Sequence, residues 1–125
     1  MKLLLTSELM YSLVKMEASV ELEKFVIKEL QKNSRIYISI LTVREIMTSN
    51  LDFDREIFLE KIQTLCDEVL PFNLEIFKLE SNLVKSGSKL HYLEAATAAF
   101  YGLDRLVVPK PPFSVPIIGI GLESK

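Results

Sequence analysis

The sequence predicts an α/β protein, a three-layer α/β/α domain with a central parallel sheet. Three observations carry that prediction. Short apolar runs such as Leu3-Leu4-Leu5 recur between longer amphipathic stretches, as expected of strands buried on both faces. Strand–helix alternation of this kind favours parallel pairing through right-handed crossovers. Near the C-terminus, Ala95, Ala96, Ala98 and Ala99 give one helix a face of small residues, which lets it lie close to a sheet.

The elements follow in chain order. Leu3–Leu5 reads as the first strand. Thr6 or Ser7 can cap a helix running from about Glu8 to Lys15. A second helix places Val20, Phe25, Val26 and Leu30 on its apolar side, with Glu21, Glu23, Lys24, Lys28 and Glu29 opposite. Asn33-Ser34 ends it, and Ile36-Tyr37-Ile38 is the second strand. Ser39 or Thr42 opens a helix with Val43, Ile46 and Met47 inward and Glu45 beside them. Ser49-Asn50 breaks it. Ile57, Phe58, Ile62 and Leu65 form the next stripe, which extends as far as Cys66. Val69-Leu70 is a third strand limited by Pro71. Leu74, Ile76, Phe77, Leu79, Leu83 and Val84 mark a helix ending near Ser86-Gly87. The alanine-rich helix follows, then strand Leu106–Val108 and a final strand at Ile117–Ile120. Phe53, Phe58, Phe72, Phe77, Phe100 and Tyr101 sit within apolar patterns and are expected in the core rather than stacked on bases.

Length and composition narrow the function classes. At 125 residues the chain is expected to form one domain spanning 1–125. A hydrophobic fraction of 49% and a charged fraction of 26% describe a folded chain. The formal net charge of -2 gives no global attraction for nucleic acid. Lys28, Lys32 and Arg35 form the nearest approach to a basic cluster, and its ordinary role is a solvated helix end. One cysteine allows no internal disulfide and suits a reducing cytoplasm. The apolar start ends at Thr6-Ser7-Glu8, too early for a signal peptide, and no run approaches the ~20 residues of a membrane span.

The stretch Leu90-His91-Tyr92-Leu93-Glu94-Ala95-Ala96-Thr97-Ala98-Ala99-Phe100-Tyr101-Gly102, followed by Arg105-Leu106-Val107-Val108, resembles the last catalytic helix and strand of a PIN domain. That family comprises small metal-dependent ribonucleases and includes the short VapC-type toxins of toxin–antitoxin pairs. The resemblance extends over nearly the whole chain. Leu4-Leu5-Thr6-Ser7-Glu8 resembles the family's opening strand and its first aspartate, with Thr6 in the acid's place. Ser39 followed six residues later by Glu45 resembles the second element, and Glu45 supplies its acid. His91 stands at the third acid. Val108-Pro109-Lys110 stands where a further acid or Asn often follows the fourth strand.

The departures fall on the chemistry the family performs. Mg²⁺ or Mn²⁺ takes hard oxygen ligands, and converging carboxylates hold the ion and offset its charge. Such ions activate water for attack on a phosphodiester. The matched set Thr6, Glu45, His91 and Lys110 sums to about zero charge at neutral pH. The expectation is therefore a degenerate PIN-like domain without metal-dependent ribonuclease activity and without a cofactor, acting as a binding or interaction module. By resemblance it would form a homodimer and engage a small antitoxin-like protein or RNA. Glu45 would then survive by pairing with Arg44, Lys110 or a backbone donor. The alternative is an active Mg²⁺- or Mn²⁺-dependent endoribonuclease. In it Glu8, two residues after Thr6, and Glu94, one turn beyond His91, join Glu45 in one cleft.

Overall fold

The computed structural model describes residues 1–17, 19–86 and 92–117. They form an α/β arrangement in the order β1 (Lys2–Leu5), α1 (Ser7–Val14), α2 (Val20–Gln31), β2 (Arg35–Ser39), α3 (Ile40–Met47) and α4 (Arg55–Leu65). β3 (Glu68–Leu70), α5 (Leu74–Ser86), α6 (Tyr92–Tyr101), β4 (Arg105–Val107) and β5 (Ser114–Pro116) complete it. His91, part of the reading of the last helix, lies outside the described residues, as does the span 118–120 of the expected final strand.

The sheet has five strands in the order β3-β2-β1-β4-β5. β1 pairs in parallel with β2 and β4, and β2 with β3. The sheet departs from the all-parallel expectation at one edge. There β5 runs antiparallel to β4, and it covers Ser114–Pro116 rather than a strand starting at Ile117. Pro116 is tolerated because an edge strand need not donate on its outer side.

Strand alternation divides the core. Leu3, Leu5, Ile36, Ile38 and Val107 pack with Leu9, Leu22, Ile46, Phe58 and Ile62 from α1–α4. Leu4, Tyr37, Leu70 and Leu106, one residue out of phase, pack with Ala98, Leu103 and Ile117 on the other side. Ala95 and Ala96 meet Ile76 of α5, so the small residues of α6 allow close approach to both the sheet and its neighbouring helix. β1 lies innermost, and Leu4 is fully buried.

The helix starts follow from local chemistry. Thr6, Ser19, Ser39 and Asp54 are N-caps whose side-chain oxygens accept the N–H of Leu9, Leu22, Leu41 and Ile57. α2 ends where Asn33 takes φ 61°, a left-handed conformation that asparagine tolerates. The buried Glu29 carboxylate accepts the Ser34 hydroxyl at 2.9 Å and pairs with the Lys32 ammonium at 3.4 Å. One member of the basic cluster is thus an ordinary helix-end partner.

Two aspartates set the strand starts. Asp67, just before β3, accepts the Ile36 N–H at 2.7 Å. Asp104, just before β4, accepts the Lys2 N–H at 2.8 Å. Their own N–H groups donate back to the Ile36 and Lys2 carbonyls. Each aspartate hooks the neighbouring parallel strand and fixes its register.

Two expectations about apolar residues are corrected. Phe77 and Phe100 are 51% and 41% exposed, each set edge-on against a neighbouring ring, Phe72 and Tyr101 respectively. Cys66 does not continue α4. It is the buried cap residue in extended conformation, and burial, with Asp67 nearby, pushes its thiol up to about 12. Among the described residues no helix is long and apolar enough to cross a membrane.

Candidate functional site

The carboxyl ends of β1, β2 and β4 share one rim. β1 is flanked by β2 on one side and β4 on the other, so strand order reverses there, the place where open parallel sheets bind ligands. Thr6 and Ser7 follow β1, Ser39 ends β2, and Thr42 and Glu45 lie on α3, three residues apart on one face. Glu94 lies on the first turn of α6.

Thr6 occupies the position of the first acid in the PIN-like reading, and its side chain faces inward. Its hydroxyl donates to the Val107 carbonyl at 2.7 Å and accepts the Leu9 N–H at 3.2 Å, with no solvent exposure. Both hydrogen-bonding functions serve the fold, which leaves the group unavailable to a ligand.

The rim is instead organised by Ser7, which the sequence offered only as an alternative cap. Its hydroxyl lies 3.2 Å from Glu45 Oε1, 3.5 Å from Glu94 Oε2 and 3.3 Å from Thr42 Oγ1. One hydroxyl carries one proton, so it serves one carboxylate at a time. Tyr11, one turn after Ser7 on the same face of α1, also reaches this group. Desolvation, its hydrogen bond to Glu45 and the charge of that carboxylate raise the Tyr11 phenol above its ordinary value. The spacings Ser7/Tyr11 and Thr42/Glu45 were the sequence signals for this arrangement.

The other candidates are placed differently. Glu8 is exposed on the first turn of α1, where an acid complements the helix N-terminus. Lys110 is exposed in the turn after β4, where its carbonyl accepts the Phe113 N–H. Glu45 forms no ion pair with Arg44 or Lys110; its carboxylate accepts the Ser7 hydroxyl, with the Tyr11 phenol nearby.

A divalent cation of the PIN type calls for three or four converging carboxylates. Among the described residues the donor set here is the carboxylates of Glu45 and Glu94 and the hydroxyls of Ser7, Thr42 and Tyr11. Among the described residues no group of three His, Cys, Asp or Glu side chains is arranged to hold a metal ion. With Thr6 committed to the fold, these residues do not fit that site.

A second feature lies on the α1–α4 side. An open groove of about 500 Å³ runs between Met10, Leu13 and Val14 of α1 and Ile57, Ile62 and Leu65 of α4. Phe53 and Met16 also line it, and Met16 is 91% exposed. Glu23, Asp54 and Lys61 supply the charge around it. Ile57, Phe58, Ile62 and Leu65 of this lining also form the amphipathic stripe of α4, which is why the sequence showed them only as a packing face.

Compared with protein-family models, curated proteins and solved structures, the chain matches none.

Proposed function

We propose that this protein is a PIN-like interaction module that works by binding a helical protein partner in the α1–α4 groove, without metal-dependent nuclease chemistry. The observation that carries this reading is the groove itself. It is open and lined mostly by apolar side chains, with Glu23, Asp54 and Lys61 as its charged lining residues. An amphipathic helix matches that surface, burying an i, i+3, i+4, i+7 stripe while its polar side stays in water. Two of the three rim charges are acidic, Glu23 and Asp54, which favours a partner with lysine or arginine beside its apolar stripe. A small antitoxin-like protein fits this description, and an apolar groove on a chain of net charge -2 offers little to RNA. The inward-facing Thr6 supports the absence of nuclease chemistry. Homodimerisation and a cytoplasmic location belong to the same proposal.

The test uses a fluorescein-labelled peptide helix with a leucine stripe and flanking lysines, followed by anisotropy. Saturable binding that is lost in Ile57→Asp is expected, because the substitution puts a carboxylate into the groove wall. Cleavage of a broad RNA panel in Mg²⁺ or Mn²⁺, abolished by Glu45→Ala, would overturn the reading in favour of the ribonuclease using Glu8, Glu45 and Glu94.

A further inference from the structure

Arg55 opens α4, and its guanidinium is turned back onto the loop between α3 and α4 rather than toward an acid. Nε donates to the Met47 carbonyl at 2.9 Å, and Nη2 donates to Ser49 at 2.8 Å and to Leu51 at 3.4 Å. Nη1 donates to the Phe53 carbonyl at 3.4 Å. The guanidinium carbon also lies 4.4 Å from the centroid of the Phe53 ring. One planar fork therefore closes the end of α3, gathers the loop carbonyls and backs an aromatic ring, a combination that a lysine ammonium cannot reproduce.

The far side of that ring matters for the groove. Phe53 lines it and meets Phe58 edge-on at 5.7 Å. The adjacent Asp54 caps α4 and lines the groove too. We propose that Arg55 is a positioning residue for the groove: it fixes Phe53 as a rigid wall, so that partner affinity depends on a side chain the partner does not touch. This rests on the groove reading above. It adds that the wall is preorganised by charge-assisted bonds to carbonyls, which reduces the ordering cost of binding.

The test is titration with the uncharged apolar dye Nile red, followed by fluorescence, with thermal melting of each variant in parallel. Arg55→Lys keeps the charge and loses the fork and the stacking plane. It should weaken dye binding about tenfold, the loss expected of one charge-assisted contact. Ile76→Val, on the opposite side of the sheet, provides a destabilised control that should bind dye as the parent does. Phe53→Leu keeps every Arg55–carbonyl bond but removes the wall, and it should lose affinity to a similar degree even if Arg55→Lys folds poorly. Unchanged dye binding in Ile57→Asp would sink the groove reading itself. Loss in Ile57→Asp with parental affinity in Arg55→Lys or Phe53→Leu leaves the groove standing and rejects the role of Arg55. Equal losses in Arg55→Lys and Ile76→Val reject it as well.

Discussion

The Thr6 hydroxyl donates to the Val107 carbonyl at 2.7 Å, joining the end of β1 to the end of β4. The same oxygen caps α1 through Leu9. Thr6→Ala removes a buried donor and an N-cap together and should cost about 1–3 kcal/mol in chemical denaturation. Thr6→Ser should recover most of that. Thr6→Asp places an acid like that of a PIN domain here and can still cap Leu9, but an ionised carboxylate has no proton for Val107. It should be less stable than Thr6→Ser at neutral pH, with the gap narrowing as acid protonates it.

The aspartate hooks give a graded prediction. Asp67 holds the N–H of buried Ile36, whereas Asp104 holds that of exposed Lys2. Asp67→Ala should therefore lower the urea midpoint more than Asp104→Ala. A loss of about 1–3 kcal/mol is expected for the first, because a buried N–H is left without a partner.

Cys66 supplies a pH test. Its thiol moves from 9.0 to about 12, so between those values the folded chain keeps a proton that the unfolded chain has lost. Stability from this group is complete below about pH 9 and falls as pH rises. The stability advantage of the native protein over Cys66→Ala should shrink across that window, at roughly 1 kcal/mol per pH unit. A thiol-reactive probe at pH 8 should label Cys66 only after denaturant is added.

Ala96 is fully buried against α5. Ala96→Leu has nowhere to place its added atoms and should cost about 1–3 kcal/mol, measured by thermal melting. A smaller loss is expected for Ala99→Leu, where burial is only partial.

Much of the fold was legible because each element carried its own local signal. Thr6, Ser39, the break at Asn33 and the alanine face of α6 all act as their residue types suggest. Apolar periodicity could not say which large residues were surplus to the core, so Phe77 and Phe100 were expected inside. It also could not separate groove-lining residues such as Ile57 and Leu65 from core residues, because both satisfy the same helical stripe. β5 was obscured by Pro116, which suits an edge. At the rim, sequence found Glu45 and Glu94 as acids. Their meeting depends on Ser7, a residue whose two neighbours in sequence, Thr6 and Glu8, carried the more obvious chemistry.

The claim that this protein works by binding, without metal chemistry, is tested most directly by calorimetric titration of Mn²⁺ into the native protein and into Glu45→Ala. The account predicts no saturable heat below about 1 mM Mn²⁺ for either protein, as two carboxylates and neutral hydroxyls hold a hard cation weakly. Stoichiometric micromolar binding to the native protein that disappears in Glu45→Ala would contradict it.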